Sequence, residues 1–525
     1  MKARRKAAST EHYINTGLRV KKSEKREQTE AGRLAAFIID MIPKEYDVWE
    51  ECDINEVHLS CEIIKTCGRW IRYCPQIGWM VYKEDEGRWT NYGAESAVQR
   101  VITHFGELLN EGAASTNPGE KRFARRILSS AGIGAIKRIL EGDVSIAVDQ
   151  KMFDADPYHL NCRGDMYDLR TGEKRASAPE DLFSKSTICK AAELEKIKEG
   201  WKMPRVSKIF EDFLVKITSK EGKARSDLAF YLLSWFGYCL TGDTGASFFV
   251  NFHGIGKNGK SVLLNLMLQL FGDYAMTLHS DIVIERYAQS QFDESELVGK
   301  RLAVLIDAPE GRLNMDKLKS IVSGDQITAK RKYLANMQFS PICKIAVGSN
   351  PRLTLKDTGL AVRRRIRMVP FDYVVSDDED DPNIGKRMLK EEGSEILALL
   401  IWFAHQYYKE GEGPKAFPGC KVVDEASAEY MESEDLVGRW KKERTETAEP
   451  EKYESAGDLY EDFRKWCDDE GVRKKMSKNK FGEYLTTHVP NKKRTEDGII
   501  YQGIRLKPRP ILQQSGPPTK DKGGG

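Results

Sequence analysis

Apolar residues are densest in the middle of the chain, where they fall in short runs separated by polar turns. Ala246 to Phe252, ASFFVNF, has the length and density of a buried strand, and Val262 to Phe271, VLLNLMLQLF, that of a helix. Lys300 to Asp307 and Ile342 to Asn350 predict two more buried strands. A further apolar strand follows the arginines at 363–365. Helical spacing predicts helices over Gly32–Ile42, Ala94–Leu109, Lys121–Leu140, Ile209–Ile217, Leu228–Leu240 and Ile396–Tyr408. The aromatic, turn-rich stretch Arg69–Thr90 predicts a β-hairpin. Phe153 to Thr171 predicts strands broken by Asp-Pro and Arg-Gly-Asp turns. The expected class is therefore multidomain α/β.

The polar remainder suggests boundaries. Residues 1–33 are basic and read as a disordered tail or a non-specific DNA arm. Residues 34–205 form a mixed α+β domain, 206–375 the core with its preceding helices, and 376–440 a helical region with an acidic loop at Asp377–Asp381. The charged stretch 441–455, with Pro450, reads as a linker. Residues 456–510 suggest two helices and a β-wing carrying basic clusters. Residues 511–525 read as a disordered tail.

The length of 525 residues suits three or four domains, and no apolar run approaches the roughly 20 residues of a membrane span. The basic start, MKARRKAAST, lacks the apolar region of a secretory signal, so a cytoplasmic location is expected. Net charge is 83 − 80 = +3, so any nucleic-acid affinity must come from local patches. Cys61, Cys67 and Cys74 match no zinc spacing, which removes support for a zinc-ribbon primase module. Asp165 and Asp168 could bind a metal, but aspartates in turns are more often structural.

The chemistry concentrates between the first strand and helix. Gly254, Ile255, Gly256, Lys257, Asn258, Gly259, Lys260, Ser261 and Val262 fit the phosphate-loop pattern G-x-x-x-x-G-K-[ST]. Its glycines let backbone N–H groups approach phosphates. Lys260 supplies charge for the β/γ phosphates, and Ser261 is a hard ligand for Mg²⁺, so ATP and Mg²⁺ are the expected cofactors. Asp307, at a strand end, is the expected second Mg²⁺ ligand. Glu310 could polarise the attacking water, and Asn350 could sense the γ-phosphate. Arg364 and Arg365, in the run Arg363–Arg365, suit an arginine finger acting in trans.

In this order the motifs resemble those of a superfamily 3 helicase, and more narrowly the phage/plasmid and poxvirus-type primase-helicase family (helicase part, no primase domain). The resemblance runs from about residue 60 to 508. It includes DPYHLNCRGDMYDLRTGE and the segment from Asp458 to Cys467 onward. It implies an AAA+-like P-loop core, a homo-hexameric ring with single-stranded DNA in its channel, and a C-terminal winged helix that contacts duplex DNA. Lys330, Arg331 and Lys332 would then track the strand in the channel. Lys474, Lys475 and Lys493 would contact DNA from the C-terminal domain. The expected activity is an ATP-dependent replicative DNA helicase of a phage, plasmid or other mobile element, with any primase or polymerase on another chain. An origin-binding or loading ATPase is the alternative, a small-molecule P-loop kinase a weaker one. The chain departs from the family at Ala308-Pro309, where extra glutamates are common, and at the uncharged stretch 334–337.

Overall fold

The computed structural model describes residues 29–43, 55–113, 117–198, 200–285, 294–329, 336–472, 475–489, 491–496 and 498–508. The expectations for residues 1–28, Lys330, Arg331, Lys332, Lys474 and residues 511–525 lie outside these. The chain divides into two units, residues 1–353 with 364–423, and residues 354–363 with 424–525.

The first unit begins with α1 (Glu30–Asp40) and α2 (Glu56–Cys67). An antiparallel sheet of β1 (Ile71–Cys74), β2 (Gly78–Lys83) and β3 (Arg88–Thr90) follows. Then come α3 (Ala94–Gly112), α4 (Pro118–Ile127) and α5 (Ser130–Glu141). The single helix expected over Lys121–Leu140 is thus two. Ser129 is extended there, and its hydroxyl accepts the Gly132 N–H at 3.1 Å, which ends one helix and caps the next. Inward residues of these elements, including Ile38, Leu59, Ile63, Val101, Phe105 and Ile136, make one buried cluster.

A meander of β4 (His159–Cys162), β5 (Asp165–Asp168) and β6 (Lys174–Ala176) leads to the two-residue strands β7 (Lys196–Ile197) and β8 (Gly200–Trp201). Asp165 pairs with Lys190 at 3.1 Å and Asp168 with Arg170 at 3.2 Å. No group of three or more acidic, histidine or cysteine side chains suited to a metal occurs among the described residues.

The core comprises α6 (Lys208–Thr218), α7 (Ser226–Leu240), β9 (Phe249–His253), α8 (Lys260–Phe271), β10 (Ala275–Thr277) and β11 (Leu302–Ala308). It continues through α9 (Met315–Val322), the antiparallel pair β12 (Ile327–Ala329) and β13 (Met337–Phe339), β14 (Lys344–Ser349), β15 (Ile366–Pro370) and α10 (Ile384–Lys409). Five strands form one parallel sheet in the order β10-β11-β14-β9-β15. Their near-continuous apolar sequence reflects burial on both faces. Side chains of α7, α8 and α10 share one cluster with the sheet.

Two buried cations fix this layer. Arg301 donates to the carbonyls of Leu240 and His159, each at 2.5 Å, and lies 4.7 Å over the Tyr274 ring. Lys344 donates to the Thr241 carbonyl and, at 3.2 Å, to that of Asp243; burial pulls its ammonium down to about 8.

The second unit holds most of α11 (Lys421–Glu434), then α12 (Leu436–Arg444), β16 (Thr445–Thr447) and β17 (Tyr453–Ser455). It continues with α13 (Ala456–Asp469), α14 (Lys478–His488), β18 (Lys492–Thr495), β19 (Gly498–Gln502) and β20 (Ile504–Leu506). Residues 441–455 are therefore not a linker. They end α12 and supply β16, paired with β20, and β17, paired with β19. The Arg444 guanidinium meets the Asp462 carboxylate at 3.0 Å, and the Trp440 indole donates to it at 2.9 Å. The expected helical region 376–440 is likewise split, since residues up to Val423 belong to the first unit. No helix among the described residues is long and apolar enough to cross a membrane.

The α7–α10 crossing depends on Gly237, where a Cβ would come within 2.9 Å of the Ala404 backbone nitrogen. Mid-helix, Gly237→Ala should gain roughly 1 kcal/mol of helix propensity. Overpacking against backbone should cost about 1–3 kcal/mol and prevail. A lower denaturation midpoint is expected; a higher one would mean that the helices do not meet at this residue.

Candidate functional site

The carboxyl ends of β9, β11 and β14 lie side by side in the sheet, and each delivers polar residues to one place. After β9 the chain turns through residues 254–259 and enters α8 at Lys260. The turn needs left-handed backbone at Gly256 (φ 112°), Lys257 (φ 45°) and Gly259 (φ 79°). A Cβ on Gly259 would also strike Ile217 of α6. Outside contacts hold the turn. The Val375 N–H donates to the Lys257 carbonyl at 2.7 Å, the Lys257 ammonium meets Asp377 at 2.5 Å, and the Asn258 amide donates to the Phe371 carbonyl at 3.4 Å.

Lys260 is only 3% exposed. Its ammonium donates to the Gly254 carbonyl at 2.7 Å and to the Asn350 side-chain oxygen at 2.8 Å. Burial pulls its pKa down, and the Asp307 carboxylate partly offsets this. Lys260, Ser261, Asp307 and Asn350 all line one cavity of about 550 Å³. Gly256, Lys257, Asn258, Gly259 and Val262 line it too. Between the strands, the Ser349 hydroxyl donates to Asn251 at 3.0 Å, which ties the tip of β14 to β9.

Other expected site residues lie elsewhere. Ile255 is 94% exposed at the tip of the turn. Glu310 is exposed and is not among the residues that line the cavity, nor are Arg364 and Arg365. Arg364 is exposed, and the Arg365 guanidinium donates to the Ser323 hydroxyl at 3.2 Å. In the second unit Lys475 pairs with Asp468, and Lys493 is exposed on β18.

Sequence reasoning missed the opposite wall. Ile209, Phe213 and Ile217, spaced by single helical turns along α6, face the cavity, as do Val375 and Ile384. The available signal is the apolar stripe of the helix expected over Ile209–Ile217, just ahead of β9. Sequence reasoning noted the acidic loop but gave it no role. Lys216 meets Glu379 at 3.1 Å, and the Glu379 carboxyl is held down at about 2 by the Tyr373 hydroxyl, then by Lys216 and Ser376. The cavity thus joins a cationic, helix-capped end to an apolar slot with charged pairs at its rim. Such a site suits an anion attached to a flat apolar group.

Three family models match the chain. These are "D5 N terminal like" over residues 62–203, "Family of unknown function (DUF5906)" over 252–365 and "Poxvirus D5 protein-like" over 428–503. Among curated proteins, "Putative helicase L207/L206" of Acanthamoeba polyphaga mimivirus is 24% identical over 66% of this chain and 36% of its own length. "Putative helicase 022R" of Frog virus 3 is 25% identical over 41% of this chain and 23% of its own. The chain thus spans about a third or less of these relatives. Two solved structures of the NrS-1 C terminal region are 12% identical. One covers 72% of this chain and 77% of that one at a TM-score of 0.42, the other 86% and 100% at 0.44. A D5 N-terminal-like segment before the parallel sheet and a poxvirus D5-like segment after it, together with the two viral relatives, support a D5-type primase-helicase family for this chain.

Proposed function

We propose that the chain is the motor of an ATP-driven, Mg²⁺-dependent replicative DNA helicase. In this reading the core is an AAA+-like P-loop core of superfamily 3 type, works as a ring of six and moves along single-stranded DNA. One observation carries the proposal. Lys260 and Ser261, at the start of the helix that follows β9, and Asp307 and Asn350, at the ends of β11 and β14, line a single cavity at the carboxyl ends of three neighbouring parallel strands.

The residues present fit ATP and Mg²⁺. Lys260 is a buried cation whose hydrogen bonds go to neutral oxygens, so its charge is available to an anion. Ser261 and Asp307 are the hard oxygen ligands a magnesium ion takes, and when bound the ion would neutralise developing phosphate charge. Lys260 then orients the β/γ phosphates. The Asn350 amide holds the Lys260 ammonium in place and reaches the same space. Ile209, Phe213 and Ile217, facing Val375 and Ile384, take the flat base and exclude water from its faces. Asp307 lines the cavity together with Lys260 and Ser261, whereas Glu310 lies off its lining, which favours Asp307 over Glu310 as the metal ligand. Arg364, exposed and outside its own chain's cavity, supports a finger that serves the next copy in a ring.

In the second unit, α12, β17, α13, α14 and the β18–β19 hairpin follow one another as in a winged helix, with Lys492, Lys493 and Arg494 exposed on β18. That basic strand favours contact with duplex DNA. It also supports the second reading, an origin-binding or loading ATPase without processive unwinding.

ATP turnover should rise when single-stranded DNA is added, and a forked duplex should be unwound only with hydrolysable ATP. Lys260→Ala should remove turnover. Arg364→Ala should lower it by about 10³-fold or more, as loss of a finger does elsewhere. Mixing the two variants should restore some activity, since each supplies what the other lacks. DNA-stimulated turnover without strand displacement would favour the loading ATPase. Turnover indifferent to DNA, with Arg364→Ala normal, would overturn both readings.

Lys260→Met should leave the melting temperature without nucleotide unchanged or raise it, because the substitution removes a desolvated charge whose hydrogen bonds go to neutral oxygens and whose burial the Asp307 carboxylate offsets only in part. A drop of several degrees would assign Lys260 to the core instead.

A further inference from the structure

The outer face of α4 takes no part in the site described. Phe123, Ala124 and Ile127 are buried on its inner side. Helical spacing then gathers Arg122, Arg125 and Arg126 on the other side, all exposed. Their fixed partners are few. The Arg122 Nε donates to the Pro118 carbonyl of its own helix at 3.3 Å, and Arg126 pairs with Glu56 of α2. Arg125 makes no ion pair among the described residues. The nearby acid on the same helix, Glu120, sits at its start, where it accepts the Asn117 amide at 2.6 Å.

Three features say what such a face fits. The basic residues are arginines, whose flat forks match phosphate oxygens two at a time. From Arg122 to Arg126 the helix rises about 6 Å, near the axial span of two phosphate steps along one strand at ~3.4 Å each. Pro118 is the one exposed apolar residue of the helix, and the face carries no exposed aromatic side chain, so it offers no base-stacking platform. The chain as a whole is nearly neutral, with 83 basic against 80 acidic side chains, so this cluster is local.

We propose that the α4 face is a sequence-independent contact for the sugar-phosphate backbone of nucleic acid, made by residues other than Lys330, Arg331 and Lys332 and other than the basic strand β18. It rests on the DNA-acting reading above. The test is equilibrium binding of the full chain to a labelled single strand and to a labelled duplex over a range of salt. Arg122→Gln with Arg125→Gln is compared with wild type and with Lys151→Gln plus Lys409→Gln, two exposed cations elsewhere in the chain. Loss of two phosphate contacts should lower the slope of log affinity against log salt by about 1.4 for the single strand or about 1.8 for the duplex. The larger change identifies the form bound. Turnover without DNA and the melting temperature should stay as in wild type. A slope and affinity equal to those of the lysine control would overturn the proposal and leave the motor reading intact. Failure of the wild type to bind any nucleic acid would overturn both.

Discussion

Two buried cations at the end of one helix set the geometry on which the site depends. Arg301 and Lys344 stand at the starts of β11 and β14, and they donate to the carbonyls of Leu240 and Thr241, where α7 stops. A helix leaves its last carbonyls without internal partners and carries partial negative charge there. Burying those oxygens beneath the sheet would be costly unless donors came with them. The strands supply the donors, so the start of each is pinned to α7. The same strands carry Asp307 and Asn350 at their other ends, about 20 Å away for β11 at the usual strand rise. Anchoring one end of a stiff strand fixes where its far end delivers a side chain.

The glycine-rich turn is fixed from outside itself. Left-handed backbone at Lys257 is unfavourable for a residue with a Cβ and persists only where surroundings over-determine it. Here the Val375 N–H, Asp377 and the Phe371 carbonyl reach the turn from the segment after β15, while Ile217 closes on Gly259 from α6. Those two elements, with Ile384 at the start of α10, also form the apolar slot. One pair of neighbours therefore shapes both the cationic end and the apolar end, which keeps the two in register along one cavity. Lys260 completes the coupling: its ammonium joins the start of the turn, at Gly254, to the tip of β14, at Asn350.

What could be read from the sequence follows from the range of the interactions involved. The strand before the turn, the helix after it, Asp307 and Asn350 were legible because each is announced by a local apolar run ending in a polar residue. The break at Ser129 was missed because a capping serine inside an apolar-periodic stretch looks like one tolerated polar position. Its meaning depends on Gly132 packing against the Arg126 carbonyl. The stretch 441–455 was misread for a different reason. Its charged side chains and Pro450 give a linker's composition. Its order comes from backbone pairing with β19 and β20 and from Asp462 beneath Arg444 and Trp440, all supplied by later parts of the chain. The apolar stripe Ile209, Phe213, Ile217 was visible but ambiguous. A helix face that lines a cavity and one that packs against protein have the same period, so the stripe alone does not separate the two cases. Composition and period report which surfaces a segment must cover. What covers them is set by contacts from distant parts of the chain, so the chemistry at the strand ends could be read locally while the walls around it could not.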